Sequence, residues 1–453
     1  MRNVHLTLGY CLAILALMLL IAGCGGGSSS QPQVGGDTVT VSFTDQNGSP
    51  LNPVYLAFQD GARSWQSVPI AGSGQYTFTL TNAQRKYGIA FVRDSGDNHT
   101  HVLYATTREL SNIPFVTDTT SPEVGTLSVG GSVTGNNGTS FAVTCAGRGG
   151  FPESINTAYH VYNVPQGTHQ LIASNGYWSS GIFTRPTRLW TKNLTVNDNV
   201  TDANIDFSGS DSIPLNTQTL SLLPSSNINA FMYFADGATH QFGYANNAAT
   251  LNYATVPADN MPEGALYHIS YSNANENYFS AYSRNPITLD GVTFPTTLDR
   301  TVTLTDTTVS WHAYTPTRMY YAVINNGNTD LYACVTPDWF ADTPSLTLPV
   351  GLATLDGWKD HTYLPTTISD WYIAAEIPSG SLEQFANLML MDTIDLSTDF
   401  SYREIQYADR VFNDNVLRNT MAADGTDNTE AAKDADVRYQ DGVFHIHRHK
   451  PTH

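Results

Sequence analysis

Apolar and polar residues alternate in short runs along most of the chain. Val39-Thr40-Val41-Ser42-Phe43 alternates strictly, and Gln75 to Leu80 places Tyr76, Phe78 and Leu80 on one face. A period of two is the mark of a half-buried strand, whose successive side chains point to opposite faces. Val54 to Phe58 is continuously apolar. Gly, Asn, Asp and Pro clusters such as Asp45-Gln46-Asn47-Gly48 separate similar runs as far as about Val411. Strands at this spacing predict an all-β chain of sandwiches or barrels. One helix is expected over 381–391 (SLEQFANLMLM), capped by Ser379 or Ser381, with apolar residues at 382, 385, 388 and 389. No other helical period appears between 37 and 375, which argues against parallel α/β units.

A weak internal repeat suggests units of similar size. Val68-Pro69, Val164-Pro165, Val256-Pro257 and Leu348-Pro349 lie 96, 92 and 92 residues apart. A glycine follows each: Gly72 and Gly74, Gly167, Gly264, and Gly351. The expected organisation is therefore three to four tandem Ig-like or transthyretin-like antiparallel β-sandwiches. They would occupy 37–118, 124–210, 215–305 and 306–415, the last with the short helix near 381–391. An acidic, then His-rich tail would follow over 416–453. A propeller would repeat every 40–50 residues or so, and no such period is present.

Two resemblances sharpen this picture. Met1-Arg2-Asn3 precedes an unbroken apolar run from Leu12 to Ile21, too short to span a bilayer and suited to a signal-peptide core. Ile21-Ala22-Gly23-Cys24 then resembles the bacterial lipoprotein box. The resemblance implies that residues 1–23 are a signal peptide and that Cys24 receives a diacylglyceryl group. It further implies that 24–36, with its GGGSSS run, is a lipidated flexible tether. Gly25 stands where that family's inner-membrane retention signal has Asp, so the implied location is the outer membrane, facing either side. Separately, Asn47-Gly48-Ser49-Pro50-Leu51 with Gly74-Gln75-Tyr76-Thr77-Phe78 resembles the carboxypeptidase-regulatory or transthyretin-like sandwich. So does Gly131-Ser132-Val133-Thr134 with Tyr162-Asn163-Val164-Pro165. These motifs are turns and core positions, so they imply fold and no chemistry.

Composition removes some partners. The chain has 453 residues, with 21 Lys plus Arg against 40 Asp plus Glu, a net charge of −19. Nucleic acid is excluded as a partner, because its binding draws on clustered cations that are missing here. The bilayer would be engaged through acylated Cys24 and not through a basic patch. Beyond Cys11 and Cys24, only Cys145 and Cys334 remain, and either a disulfide or two buried thiols is compatible with export.

Candidate chemistry is sparse. His99 and His101, at i and i+2, would share one face of a strand, as metal ligands can. His445, His447 and His449 alternate in the same way near the terminus and could take zinc, copper or nickel. The oxygen-rich segments Asn197-Asp198-Asn199, Asn413-Asp414-Asn415 and Asp424 to Glu430 could take Ca²⁺, but none has the EF-hand spacing. No cofactor is otherwise implied. Exposed aromatics are the better lead, since Trp and Tyr stack on sugars and anchor interfaces. Tyr177-Trp178 within Asn175 to Gly181 is the first candidate contact, and Trp358 within Asp356 to His361 the second.

No G-x-S-x-G, H-E-x-x-H, P-loop or C-x-x-C motif is present. The expected function is accordingly a non-enzymatic cell-envelope scaffold or adhesin-like module that binds glycan or envelope protein. The alternatives are a carbohydrate-active hydrolase using carboxylates, which can meet only in the fold, and metal capture by the tail.

Overall fold

A computed structural model describes most residues between 38 and 412. Residues 1–37 and 413–453 lie outside the described residues, as do short stretches including 94–98, 118–124, 274–276, 293–298, 326–329, 359–366 and 394–398. Cys24, Tyr177, His445, His447 and His449 all fall there. The architecture is all-β, built from several sheets with the helix Leu382–Met391. No helix among the described residues is long and apolar enough to cross a membrane.

The first sheets form three layers. Thr38–Asp45 pairs antiparallel with Gln75–Thr79 and parallel with Asn112–Thr117. Val39, Val41 and Phe43 face Leu56, Ile89, Phe91 and Leu103 of a second, six-stranded sheet. That sheet runs Tyr320–Asn325, Asp330–Val335, Thr100–Thr106, Lys86–Val92, Tyr55–Asp60, Gln66–Ser67. A small sheet of Val302–Thr305, Thr308–Trp311 and Ser345–Thr347 covers its other face through Trp311 and Leu346, joined by Leu352 and Trp358 from the 3-10 turn Val350–Thr354 and the residues after it. Burial on both faces explains why Thr100–Thr106 is buried at every position and why its neighbours read as apolar runs without alternation.

The pairing crosses the expected segments. Asp330–Val335 lies parallel to Thr100–Thr106, with Leu331 opposite Thr100 and Val335 opposite Tyr104. Strands from 37–118 and from 306–415 thus share one sheet, where consecutive self-contained sandwiches were expected. Likewise Phe400–Ala408 pairs with Asn277–Ser283, joining the last segment to the third. Alternation in sequence reports which side of a strand is buried, and it carries no record of which edge finds which partner.

Strands between 127 and 214 pair with one another in an eight-stranded order that closes over one core. Arg148–Glu153 makes the corner, pairing with Phe141–Cys145 through Arg148 and Gly149 and with Ala158–Val164 from Gly150 onward. A Cβ at Gly150 would lie 2.9 Å from a Val161 methyl, so only glycine fits this crossing. Cys145 and Cys334 are buried thiols in different sheets, and no disulfide links them. Burial, with Asp236 nearby, pushes the Cys145 thiol up to about 12.

The third body is organised by one long hairpin, Asn216–Tyr233 with Thr239–Thr255. Its register slips between Ser221 and Ser226, where Pro224 removes a ladder donor. Beyond the slip, Ser226–Tyr233 joins Leu266–Asn273 in the six-stranded sheet. Before it, Asn216–Ser221 pairs with Thr250–Thr255, and Leu220, Leu251 and Tyr253 close over the same core as Met232 and Ile269.

Candidate functional site

Three segments meet around an open cleft of about 610 Å³. Its walls are the start of the long hairpin (Asn216, Thr217, Gln218), the loop from Thr255 to Ala265, and the turn Arg284-Asn285-Pro286. The volume falls within the range of small-ligand and oligosaccharide-sized sites.

Each wall is fixed locally. Tyr267 anchors the loop: the Val256 N–H donates to the Tyr267 hydroxyl at 2.7 Å, and the hydroxyl lies 3.4 Å from the Val256 carbonyl. Burial raises this phenol to about 12, so it stays protonated. Backbone bonds from Asn260 to Pro257 and from Ala265 to Pro262 tighten the loop further. Gly264 turns it at a φ of +71°, and a Cβ there would meet the Ala235 methyl at 2.9 Å. In the opposing turn, the Arg284 N–H donates to an Asp399 carboxylate oxygen at 3.2 Å and the Asn285 N–H to Ser283 Oγ at 3.0 Å. On the third wall, Arg185 donates from its guanidinium to Thr217 Oγ1.

The hydrogen-bonding groups on these walls are mostly uncommitted. Asn216, Glu263, Arg284 and Asn285 are exposed and Gln218 is half-buried, and among the described residues their side chains make no hydrogen bond or ion pair. Val256, Pro257, Met261, Pro262 and Pro286 supply apolar surface between them. Primary amides, a carboxylate and a guanidinium offer donors and acceptors together. That combination matches vicinal hydroxyls, which need both.

The sequence-derived candidates distribute differently. Trp358 corrects an expectation: it is fully buried in the core beside Tyr55, with ring centroids 6.0 Å apart, and is no exposed contact. Asp356 and Gly357, the latter at a φ of +82°, form a turn that tucks the indole inward. The backbone of Trp178 lies in a two-residue strand paired with Ile182–Phe183. Two residues beyond that hairpin is Arg185, whose bond to Thr217 reaches the cleft wall.

His99 and His101 do share a face. Both rings lie 5.3 Å from Tyr332, edge-on for His99 and stacked for His101, and Phe91 stacks on the other side of His101 at 5.1 Å. No group of three metal-binding side chains occurs among the described residues. Asn199, from one of the oxygen-rich turns, accepts bonds from the Ser128 N–H and hydroxyl at 2.9 and 3.1 Å and so ties that turn to strand Leu127–Thr134.

The amides and charges of the cleft escaped sequence reading, because polar residues at a strand start and in turns look like ordinary solvated surface. One signal did point there. The third copy of the repeat, Val256-Pro257 with Gly264, forms the cleft loop.

No family model matches the chain, and no curated protein matches it. Among solved structures, it is similar to a streptococcal ancillary pilin at 14% identity, covering 37% of this chain and 62% of that one, with a TM-score of 0.14. It is similar to the pilus adhesin SpaC from Lactobacillus rhamnosus GG in its open conformation at 11% identity, covering 66% and 43%, with a TM-score of 0.15. Bacteroides ovatus SGBP-B of a mixed-linkage glucan utilization locus, in complex with a mixed-linkage heptasaccharide, matches at 9% identity, covering 70% and 88%, with a TM-score of 0.10. The chain thus spans less than two thirds of the first two. Superpositions of this quality carry neither fold nor ligand across to this chain.

Proposed function

We propose that this chain is a lipid-anchored envelope protein that binds glycan through the cleft between Asn216–Gln218, the 255–265 loop and the 284–286 turn. The supporting observation is the convergence of uncommitted amides with Glu263 and Arg284 on a volume of about 610 Å³. Sugar hydroxyls satisfy such groups pairwise, and the intervening prolines and Met261 meet the apolar faces of the rings.

The anchor follows from the resemblance of Ile21-Ala22-Gly23-Cys24 to the lipoprotein box. Diacylglyceryl and further acyl chains on Cys24 would hold the protein at the outer membrane, with residues 25–36 as a leash. Labelling cells with radioactive palmitate tests this: label enters the wild-type chain and is lost in Cys24→Ala.

The binding reading is tested by applying the full chain, in mild detergent, to an array of envelope and plant glycans. Saturable binding that falls at least tenfold in Asn216→Ala/Gln218→Ala, with the circular dichroism spectrum unchanged, is the expected result. Binding untouched by the double substitution would move the site elsewhere.

A further inference from the structure

Resting on the glycan reading of the cleft, we infer that its ligand is an uncharged oligosaccharide and that the site rejects uronate and sulfate groups. The charges around the cleft carry the inference. The cations are Arg284 on one wall and Arg185, whose guanidinium is already bonded to Thr217 on another. Against them stand Glu263 on the loop, Asp259 in the 3-10 turn preceding it, and Asp399, whose carboxylate lies 3.2 Å from the Arg284 backbone nitrogen. Among the described residues at the cleft, no surplus of positive charge awaits an anion.

The wider field points the same way. An anionic chain would approach a protein carrying 40 acidic and 21 basic side chains, and its repulsion would extend over roughly one Debye length, about 8–10 Å near physiological salt. Inside the cleft, Arg284 and Glu263 are not paired with each other. Each is open to a hydroxyl: the guanidinium as donor to a sugar oxygen, the carboxylate as acceptor from a sugar O–H. A carboxylate on the ligand would satisfy Arg284 but would bring a like charge into a cleft that Glu263 also lines, whereas neighbouring sugar hydroxyls can satisfy each of the two. Glu263 is therefore a specificity residue, and Arg284 contributes affinity without selecting for acid.

The test uses the full chain and matched glycan pairs that differ in charge: methyl-esterified against de-esterified polygalacturonate, and dextran against dextran sulfate, beside neutral β-glucans. The expected result is binding to at least one neutral member, at least tenfold tighter than to any acidic one and changed less than about twofold between low and high salt. In Glu263→Gln, binding to the acidic partners rises while neutral binding changes little; in Arg284→Gln, neutral binding weakens about tenfold. Equal or tighter binding to the acidic members would overturn the inference and leave the glycan reading standing. Absence of saturable binding to every glycan would overturn both.

Discussion

Asn387 and Val116, 271 residues apart in sequence, are joined by a hydrogen bond of 2.8 Å from the Val116 N–H to Asn387 Oδ1. The same amide donates through Nδ2 to the Pro114 carbonyl at 2.6 Å and to Glu383 within its own helix at 3.1 Å. Asn387 thus occupies the open edge of strand Asn112–Thr117 as a neighbouring strand would, and fastens the helix to the first sheet. Ser381 and Gln384 start that helix with reciprocal backbone bonds of 3.2 and 2.9 Å, a capping box. Asn387→Leu keeps the volume and loses the bonds. It is expected to destabilise the protein by about 1–3 kcal/mol, read as a lower urea midpoint with unchanged slope.

His240 and His268 give the fold an acid limit. His240 is fully buried between Thr144 and Ser174, at 3.1 and 2.9 Å, and His268 bonds Ser280 at 2.9 Å while stacking on Tyr282. Burial lowers both from 6.5 to about 3. As pH falls through 6.5 the unfolded chain takes up protons that the folded chain refuses until about 3. Their stabilisation is therefore complete above 6.5 and declines below it, by about 1.4 kcal/mol per pH unit for each histidine. Denaturation midpoints measured from pH 7.5 to 4.5 should show this fall, and His268→Gln should remove about half of the part due to the pair.

Trp358 is a packing residue. Trp358→Ala should lower stability by about 3–5 kcal/mol through the cavity it leaves. The midpoint of thermal unfolding reports this. Material that remains folded at low temperature should still bind glycan, because Trp358 does not line the cleft.

Gly264 links local backbone to the cleft. In Gly264→Ala the new methyl meets a positive φ and the Ala235 side chain together, at an expected loss of about 1–2 kcal/mol. The loop must shift to relieve the contact, so glycan affinity should fall more than in a surface substitution away from the cleft such as Ser67→Ala on the exposed strand Gln66–Ser67.

The class of the fold was legible in the chain, and its wiring was not. Strict alternation in Val39 to Phe43 marks a strand with one buried side, and the structure buries Val39, Val41 and Phe43. The helix begins at Leu382, which selects Ser381 over Ser379, the two caps the sequence offered. The parallel pairing of Leu331 with Thr100 left no such trace, since it joins segments 231 residues apart. Trp358 misled for a related reason: Gly and Asp beside an aromatic mark a turn, and a turn can aim its side chain inward. Asn216, Glu263 and Arg284 are drawn from three segments far apart in sequence and become neighbours only in the folded chain.

The central claim, that the cleft is the recognition surface, is tested most directly by hydrogen–deuterium exchange of the full chain with and without a saturating neutral oligosaccharide. The account predicts slowed exchange in 216–218, 256–265 and 284–286, with the sheets behind them unchanged. Protection confined to other segments, such as the hairpin carrying Trp178, would contradict it.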